Sequence, residues 1–296
     1  MSNHIKKVAI AGGTHGNELT GVYLVNRYIE SPELIRRSTF ETVAMHMNLK
    51  AMEQCTRYVD KDLNRTFSKA ALADTTLTSY EDKLAKEINQ KIGPKGSKTP
   101  NIDFIIDLHT TTSNMNLSIC ISSTDELTWQ AIAYVKECLP ELNIFRWKGD
   151  TDDASFVSSI PPRGFTVEVG PIPQGVLRAD VFLSTERVVQ ATLDFFELHN
   201  TGKLEKKYTE VEIYDHIKLV DFPRDKDGNI IAMIHADLQD IGYKKINKGD
   251  PLFMQLNGES VNYEEEDEVY ALFVNEAAYY EKGFAMCLTD KKVINI

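Results

Sequence analysis

The residues best suited to bind a metal ion lie in the segment G-G-T-H-G-N-E, where His15 and Glu18 are three positions apart. In a tight turn or a first helical turn, this spacing lets an imidazole and a carboxylate reach one cation. Zinc in hydrolases takes three such protein ligands and leaves a fourth position for water. Gly12, Gly13 and Gly16 allow the chain to bend sharply there. The spacing alone equally fits a turn histidine beside a carboxylate that complements a helix N-terminus.

His109 is the candidate third ligand, because it directly follows the apolar run I-D-F-I-I-D-L. Such a run is typical of a strand covered on both faces, so His109 would lie at a strand end, as His15 and Glu18 do. Asp107 and His109 point to the same side of a strand, and we expect Asp107 to orient the imidazole. Taken alone, His109 also fits a core or helix-capping histidine. The three residues together predict a hydrolytic zinc site.

The elements that must position these residues alternate between strands and helices. Apolar runs predict strands, and a helical period of apolar residues predicts the helices between them. The predicted strands are 7–12, 42–47, 102–108, 117–121 and 165–169, and the predicted helices are 18–29, 80–92, 126–138 and 177–196. Residues 48–67 are predicted to form a long polar loop. This order indicates an α/β domain with a mostly parallel or mixed sheet, whose functional loops lie at the carboxyl ends of strands.

The pattern of apolar and polar residues changes after the polar segment N-T-G-K-L-E-K-K. Short apolar runs separated by D-G-N, K-G-D-P and N-G turns then predict strands at 211–220, 230–235, 252–255 and 269–274. We therefore predict a catalytic α/β domain at 1–205 and a smaller β-rich domain at 206–296.

Composition and charge exclude several other classes of protein. The formal net charge is -11 and no long Lys/Arg cluster is present, so nucleic acid is not an expected partner. No segment approaches the roughly 20 apolar residues of a membrane span, and no membrane partner is expected. The four cysteines are scattered without a C-x-x-C pair, which predicts neither a cysteine zinc site nor a disulfide framework. With no recognisable signal peptide, the chain is predicted to be cytoplasmic.

Five blocks in this order closely resemble the aspartoacylase/succinylglutamate desuccinylase family of zinc-carboxypeptidase-like deacylases. They lie between residues 12 and 282, so the resemblance covers nearly the whole chain. The blocks are G-G-T-H-G-N-E-L-T-G, R-Y-V-D-K-D-L-N-R-T-F, D-L-H-T-T-T-S-N-M, V-E-V-G-P-I-P-Q-G-V-L-R-A-D and N-E-A-A-Y-Y-E-K.

The resemblance implies a mixed sheet flanked by helices, with a C-terminal β-rich domain that narrows the substrate channel. It also implies one Zn²⁺ per subunit and a small N-acyl amino acid as substrate, of which N-acetyl-L-aspartate is the first choice. A homodimer is the assembly that the resemblance suggests. By position, the implied zinc ligands are His15, Glu18 and His109, and the implied catalytic glutamate is Glu168. The resemblance makes Arg57 the arginine that polarises the substrate carbonyl group, and Asn64 and Arg65 the pair that binds the substrate carboxylate. It also implies that Tyr279 joins the site from the C-terminal domain.

These roles suit the residue types. Glu168 is a carboxylate in the apolar strand V-E-V, where an unpaired charge is costly, so a function is favoured over a structural ion pair. Arg57 cannot act as a base but can stabilise an oxyanion. Arg65 offers a planar fork for a carboxylate, and Asn64 adds a neutral donor. For Tyr279, a core tyrosine of the β-rich domain is the alternative.

One part of the expected site is missing. Family members grip the aspartate side chain with an arginine and a tyrosine, and an ungapped match places Ser158 and Ala154 at those positions. The aspartate preference is therefore open. Arg163 or Arg146 would have to supply the charge from another direction, or Phe156 would face an apolar or aromatic side chain.

Four interpretations follow from the sequence. The first is a zinc N-acyl-amino-acid deacylase acting on N-acetylaspartate. The second keeps this chemistry for neutral, aromatic or S-substituted N-acetyl amino acids. The third is a carboxypeptidase, which needs an open cleft. The fourth is a non-catalytic metal-binding or small-molecule-binding module, which would need neither Glu168 nor Arg57.

Overall fold

Thirteen strands and six helices organise the residues that the computed structural model describes, 4–148 and 153–296. The strands are β1 (Lys7–Gly12), β2 (Glu41–His46), β3 (Phe104–Thr110), β4 (Asn116–Ile121), β5 (Asn143–Arg146), β6 (Gly164–Gly170), β7 (Glu210–Val220), β8 (Ala232–Ile234), β9 (Lys244–Ile246), β10 (Pro251–Gln255), β11 (Ser260–Asn262), β12 (Val269–Leu272) and β13 (Met286–Asn295). The helices are α1 (Leu19–Glu30), α2 (Leu49–Gln54), α3 (Lys69–Ala73), α4 (Tyr80–Ile92), α5 (Glu126–Cys138) and α6 (Ala179–Asn200).

Ten of these strands form one mixed sheet in the order β2-β1-β3-β6-β4-β5-β7-β13-β12-β9. Strands β2, β1, β3 and β6 run parallel, whereas β4 is antiparallel to β6. Because β1, β3 and β6 are parallel neighbours, their carboxyl ends meet at one edge of the sheet, where ligand sites of α/β proteins form.

Helices cover both faces of the parallel part of the sheet. Every residue of β3 is buried, in keeping with its unbroken apolar run. Ile106 of β3 belongs to the core formed with α1, α5 and α6. Ile105 belongs to a second core that includes α4. Since side chains alternate along a strand, Asp107 and His109 lie on the α4 face together with Ile105.

The predicted α/β fold with a β-rich C-terminal part is confirmed. Strand 7–12 and helices 80–92 and 126–138 have the predicted bounds, and the remaining predicted elements are shifted by a few residues. The prediction of one long loop at 48–67 is wrong. It contains α2, which Asn48 caps by accepting a hydrogen bond from Ala51 N at 3.2 Å, and a 3-10 turn at Leu63–Arg65.

The large sheet continues into the C-terminal part of the chain through β7, β13, β12 and β9. β8, β10 and β11 form a separate antiparallel sheet with its own apolar core around Phe222 and Phe253. The boundary proposed at residues 205 and 206 remains a prediction. Among the described residues, no helix combines the length and apolarity that crossing a membrane requires.

A buried carboxylate holds the segment that connects α2 to the 3-10 turn. Glu81, fully buried at the start of α4, accepts hydrogen bonds from the backbone amides of Val59, Asp60 and Lys61 at 2.7, 3.0 and 3.2 Å. It also accepts one from Asn48 Nδ2 at 3.1 Å. This single side chain therefore fixes the path of the loop between residues 57 and 65.

Replacing Glu81 by alanine leaves several buried amides without an acceptor, so we expect Glu81→Ala to lower the free energy of unfolding by on the order of 3 kcal/mol. The measurement is urea unfolding of the metal-free protein. Glu87→Ala changes the same residue type on the exposed side of α4 and serves as the control. Equal stability of the two variants would show that Glu81 does not anchor the loop.

Candidate active site

The turn after β1 is tightly packed, which places His15 and Glu18 at the sheet edge. A Cβ on Gly12 would lie 2.2 Å from Gly21 O, and one on Gly16 would lie 2.0 Å from Ala51 C. Both glycines are therefore required by close backbone approach. Glu18 is the residue that precedes α1, but it makes no side-chain cap of that helix. Its carboxylate instead faces the imidazoles of His15 and His109.

The three predicted metal ligands come together. His15 Nδ1 lies 2.7 Å from Glu18 Oε1, and His109 Nδ1 lies 2.8 Å from Glu18 Oε2. The two Nδ1 atoms are 3.1 Å apart, and one ligand atom from each residue lies within 4.8 Å of the others. All three side chains are buried. Two imidazoles and one carboxylate are the donor set of a three-ligand zinc site.

The outward nitrogen of each imidazole is held by an aspartate. Asp107 Oδ2 lies 2.7 Å from His109 Nε2, the contact expected from the strand alternation. Asp62 Oδ1 lies 2.9 Å from His15 Nε2. Asp62 was not predicted, although its acidic position in R-Y-V-D-K-D-L-N-R, between residues assigned to the site, was the available signal. These carboxylates leave both Nδ1 atoms directed at the shared centre.

The electrostatics of this centre favour a cation. Burial opposes a charge on Glu18, but attraction to His15 and His109 and their hydrogen bonds outweigh it and hold the pKa of Glu18 well below its usual range. Burial likewise opposes a proton on His109, yet Asp107 and Glu18 raise its pKa well above the usual value. The carboxylates thus draw positive charge into a place shielded from water, and a divalent ion meets that demand.

The loop that Glu81 anchors brings Arg57 to the same centre. Arg57 Nη1 donates to Glu18 Oε1 at 3.1 Å and Nη2 donates to Asp62 Oδ2 at 3.3 Å. Burial alone would lower the pKa of Arg57, but the two carboxylates raise it, so the guanidinium stays charged. A fixed positive charge therefore lies beside the metal ligands.

Asn64 and Arg65 lie in the 3-10 turn of this loop, at the cavity wall. Asn64 Oδ1 accepts a hydrogen bond from Val157 N at 2.8 Å, which orients its amide. Arg65 donates to Asn64 O at 2.8 Å and lies over the Phe156 ring at 5.1 Å. Arg65 lines the cavity, and one of the five N–H groups of its guanidinium is used in the contact with Asn64 O.

Glu168 reaches the site from β6. It is the register partner of His109 on the adjacent parallel strand, so the two side chains project from the same face of the sheet. Burial, aided by the charges of Glu18 and Glu276, raises the pKa of Glu168 to about 8 against the opposing effects of His109 and Arg57. Glu168 lines the cavity and is well placed to exchange a proton with a molecule inside it.

Tyr279 belongs to the 3-10 turn Ala277–Lys282 and also lines the cavity. The turn is held by the buried Glu276, which accepts hydrogen bonds from Thr112 N at 2.7 Å, from Ser113 N at 3.1 Å and from Thr111 Oγ1. These partners follow β3 directly. Glu276 therefore joins the C-terminal part of the chain to the loop next to His109, a role that the N-E-A-A-Y-Y block alone did not suggest.

His15 lines a cavity of about 490 Å³ whose wall includes seven aromatic side chains. Its charged lining groups are Glu168 and the cations Arg57, Arg65 and Lys282. The aromatic lining residues are Phe145, Trp147, Phe156, Phe165, Phe273, Tyr279 and Phe284. The sequence did not predict Phe145 and Trp147 as cavity-lining residues. Strand β5 is only four residues long, which is too short to give a clear periodic pattern.

The two arginines considered as replacements for the missing aspartate grip do not line the cavity. Arg146 forms two hydrogen bonds with the buried Asp215, both at 2.8 Å. Arg163 Nε donates to Asp125 Oδ2 at 2.9 Å. Ser158 does line the cavity, so the position of the expected arginine is occupied by a small neutral side chain.

The sequence matches two family models and several known proteins over most of its length. A family model described as the succinylglutamate desuccinylase/aspartoacylase catalytic domain matches residues 4–196, and one described as the AstE/AspA barrel-sandwich hybrid domain matches residues 209–291. A probable aspartoacylase of Trichodesmium erythraeum is 47% identical over 99% of each chain.

Two further relatives carry different substrate names. The human N-acyl-aromatic-L-amino acid amidohydrolase (carboxylate-forming) is 39% identical, over 97% of this chain and 91% of its own length. The crystal structure of murine aminoacylase 3 matches with a TM-score of 0.93 and 36% identity, over 100% of this chain and 98% of the other. The relatives thus divide between aspartoacylase and aromatic amino acid amidohydrolase.

Asp62 orients His15, so we expect Asp62→Asn to weaken zinc binding by about 10- to 100-fold. Affinity can be measured by competition with a chromogenic chelator. Asp60→Asn, an exposed change in the same loop, is the matched control. If both variants bind zinc as tightly as the unmodified protein, the contact between Asp62 and His15 has no part in the metal site.

Proposed function

The chain belongs to the succinylglutamate desuccinylase/aspartoacylase family of amidohydrolases, and we propose that it hydrolyses N-acyl-L-amino acids at a zinc ion held by His15, Glu18 and His109. The observation that carries this proposal is the buried His-Glu-His cluster, of which His15 lines the same cavity as Glu168 and Arg57. The predicted family membership is confirmed by matches that cover both parts of the chain.

The donor set fits zinc, because both Nδ1 atoms and the Glu18 carboxylate are directed at a common centre while Asp62 and Asp107 hold the other nitrogens. Zinc bound there supplies a Lewis acid that acidifies water and polarises a carbonyl group. The remaining chemistry belongs to the side chains of this protein.

Glu168 is the proposed proton carrier. Its carboxylate takes a proton from the attacking water and returns it to the amide nitrogen, so the C–N bond breaks to give a carboxylic acid and a neutral amine. Transfer of the acid proton to the amine then leaves a carboxylate and an ammonium group. Burial raises the pKa of Glu168 to about 8 in the metal-free site, and a nearby dication would favour its charged form. Burial favours the neutral form of Glu168 and the dication favours its charged form, and these opposing effects suit a group that gains and loses a proton during turnover.

Arg57, Asn64 and Arg65 are proposed to bind and orient the substrate. The buried guanidinium of Arg57 can stabilise the negative charge that develops on the acyl oxygen. Arg65 offers paired donors for the α-carboxylate, with Asn64 beside it. Tyr279 is proposed to complete the cavity wall; burial raises the pKa of its hydroxyl, which therefore stays protonated.

The cavity favours an aromatic or other apolar substrate side chain over that of N-acetylaspartate. A buried aspartate side chain needs a cation, yet Ser158 stands at the position of the family arginine, and Arg146 and Arg163 are paired elsewhere. Lys282, the lining cation without a role in the proposed chemistry, is paired with Glu281 at 3.3 Å. The wall is instead rich in rings, and ring contacts stabilise aromatic ligands. N-acetylaspartate remains the competing substrate, supported by the names of several relatives.

The two other interpretations fit the site less well. A carboxypeptidase needs an open cleft for a polypeptide, whereas Tyr279 and Phe284 from the C-terminal part line the cavity. A pure binding module has no use for a proton carrier such as Glu168 beside the metal ligands. The homodimer stays a prediction.

Glu168→Gln removes the proton carrier and keeps the shape of the side chain. We expect turnover of N-acetyl-L-phenylalanine to fall by about 10²- to 10⁴-fold while zinc content is unchanged. Stopped assays of amine release and metal analysis give the two values. Normal turnover in this variant would remove Glu168 from the mechanism, and inactivity of the unmodified zinc-loaded protein on a panel of N-acyl amino acids would remove the proposed function.

Ser158→Arg restores the cation found at this position in family members. The ratio of kcat/KM for N-acetyl-L-aspartate to that for N-acetyl-L-phenylalanine is expected to rise by about 10- to 100-fold, since a charge-assisted hydrogen bond contributes roughly 1.5–3 kcal/mol. Ser158→Met adds similar bulk without charge and controls for crowding. An equal change of the ratio in both variants would assign the effect to size alone.

A further inference from the structure

A second cavity, of about 310 Å³, lies on the other side of the 3-10 turn Ala277–Lys282. Tyr279 of this turn lines the large cavity, whereas Ala277 and Glu281 line the second one. The turn is therefore a partition between the two spaces. Tyr58 and Gln174 line the second cavity from the other part of the chain.

Arg57 lines both cavities. Its Nη1 and Nη2 donate to Glu18 and Asp62, but its Nε is buried and has no hydrogen-bond partner among the described residues. An unsatisfied buried N–H group of this kind indicates an occupant that accepts a hydrogen bond.

The proposed hydrolysis creates a need for such a site. Cleavage of the amide bond gives a small carboxylate at the metal end and an amino acid whose carboxylate is bound by Asn64 and Arg65. While the amino acid fills the large cavity, it obstructs that route for the carboxylate. A small anion leaving on the other side would meet the guanidinium of Arg57 first.

We propose that the second cavity binds the small carboxylate product through Arg57 and releases it while the amino acid still occupies the large cavity. This inference rests on the proposed function. Glu281, whose carboxylate accepts hydrogen bonds from Tyr58 Oη at 2.9 Å, adds a negative charge at this cavity. That charge disfavours long retention of an anion, so the site suits passage better than storage.

The test uses fluoroacetate as the carboxylate and ¹⁹F NMR line broadening as the measure of its exchange with zinc-loaded protein. Saturating L-phenylalanine, whose binding is followed separately by saturation transfer, fills the large cavity. In the unmodified protein we expect exchange to continue when L-phenylalanine is bound. Loss of exchange under that condition would overturn the proposal.

Ala277→Trp fills the second cavity from an exposed position, and Ala277→Ser keeps it open. With L-phenylalanine bound, the tryptophan variant should exchange fluoroacetate at least tenfold more slowly than the serine variant, and without L-phenylalanine the two should agree. Gln174→Trp fills the same cavity from the opposite wall and should behave alike. Equal exchange in the tryptophan and serine variants at every condition contradicts the proposal.

Failure of the proposed function gives a different pattern. If the protein cleaves no N-acyl amino acid yet the two tryptophan variants slow the exchange of fluoroacetate, the carboxylate site is supported and the proposed function is contradicted. If the protein cleaves its substrate but the tryptophan variants exchange normally, only the second site falls.

Discussion

Glu18 carries a negative charge in a place that water barely reaches, and the rest of the site depends on how that charge is compensated. Both of its oxygens face an imidazole Nδ1, and Arg57 donates to one of them. A buried carboxylate with fewer partners would take up a proton and lose its value as a metal ligand. The burial of Asp62 and Asp107 has the same origin, because each compensates the positive charge of an imidazole or a guanidinium.

The site requires four separate stretches of chain to meet. The parallel pairing of β1 with β3 brings the turn that contains His15 next to His109, and the pairing of β3 with β6 adds Glu168. The fourth stretch, from Arg57 to Arg65, has no strand to guide it. The position of this stretch depends on buried hydrogen bonds to Glu81. These hydrogen bonds lie away from the metal ligands, yet they determine where Arg57 and Arg65 are held.

Short-range rules were enough for the metal ligands and for Asp107, but not for the other supporting residues. His15, Glu18 and His109 follow from local spacing and from the principle that parallel strands end together. Asp62 could not be assigned in the same way, because the loop path that brings it to His15 depends on a long-range contact to α4. Glu276 is beyond local rules for the same reason, since its partners lie more than 160 positions earlier in the chain. The identity of the aromatic wall was also hidden, because strands as short as β5 give too weak a periodic signal.

The order of these parts along the chain separates the metal ligands from part of the cavity wall. All three ligands lie in the first 109 positions, whereas Tyr279 and Phe284, which line the cavity, come more than 160 positions later. Metal binding and the shielding of the cavity from water therefore draw on distant parts of the sequence. A substitution that loosens the turn around Tyr279 can admit water and leave the set of metal ligands intact.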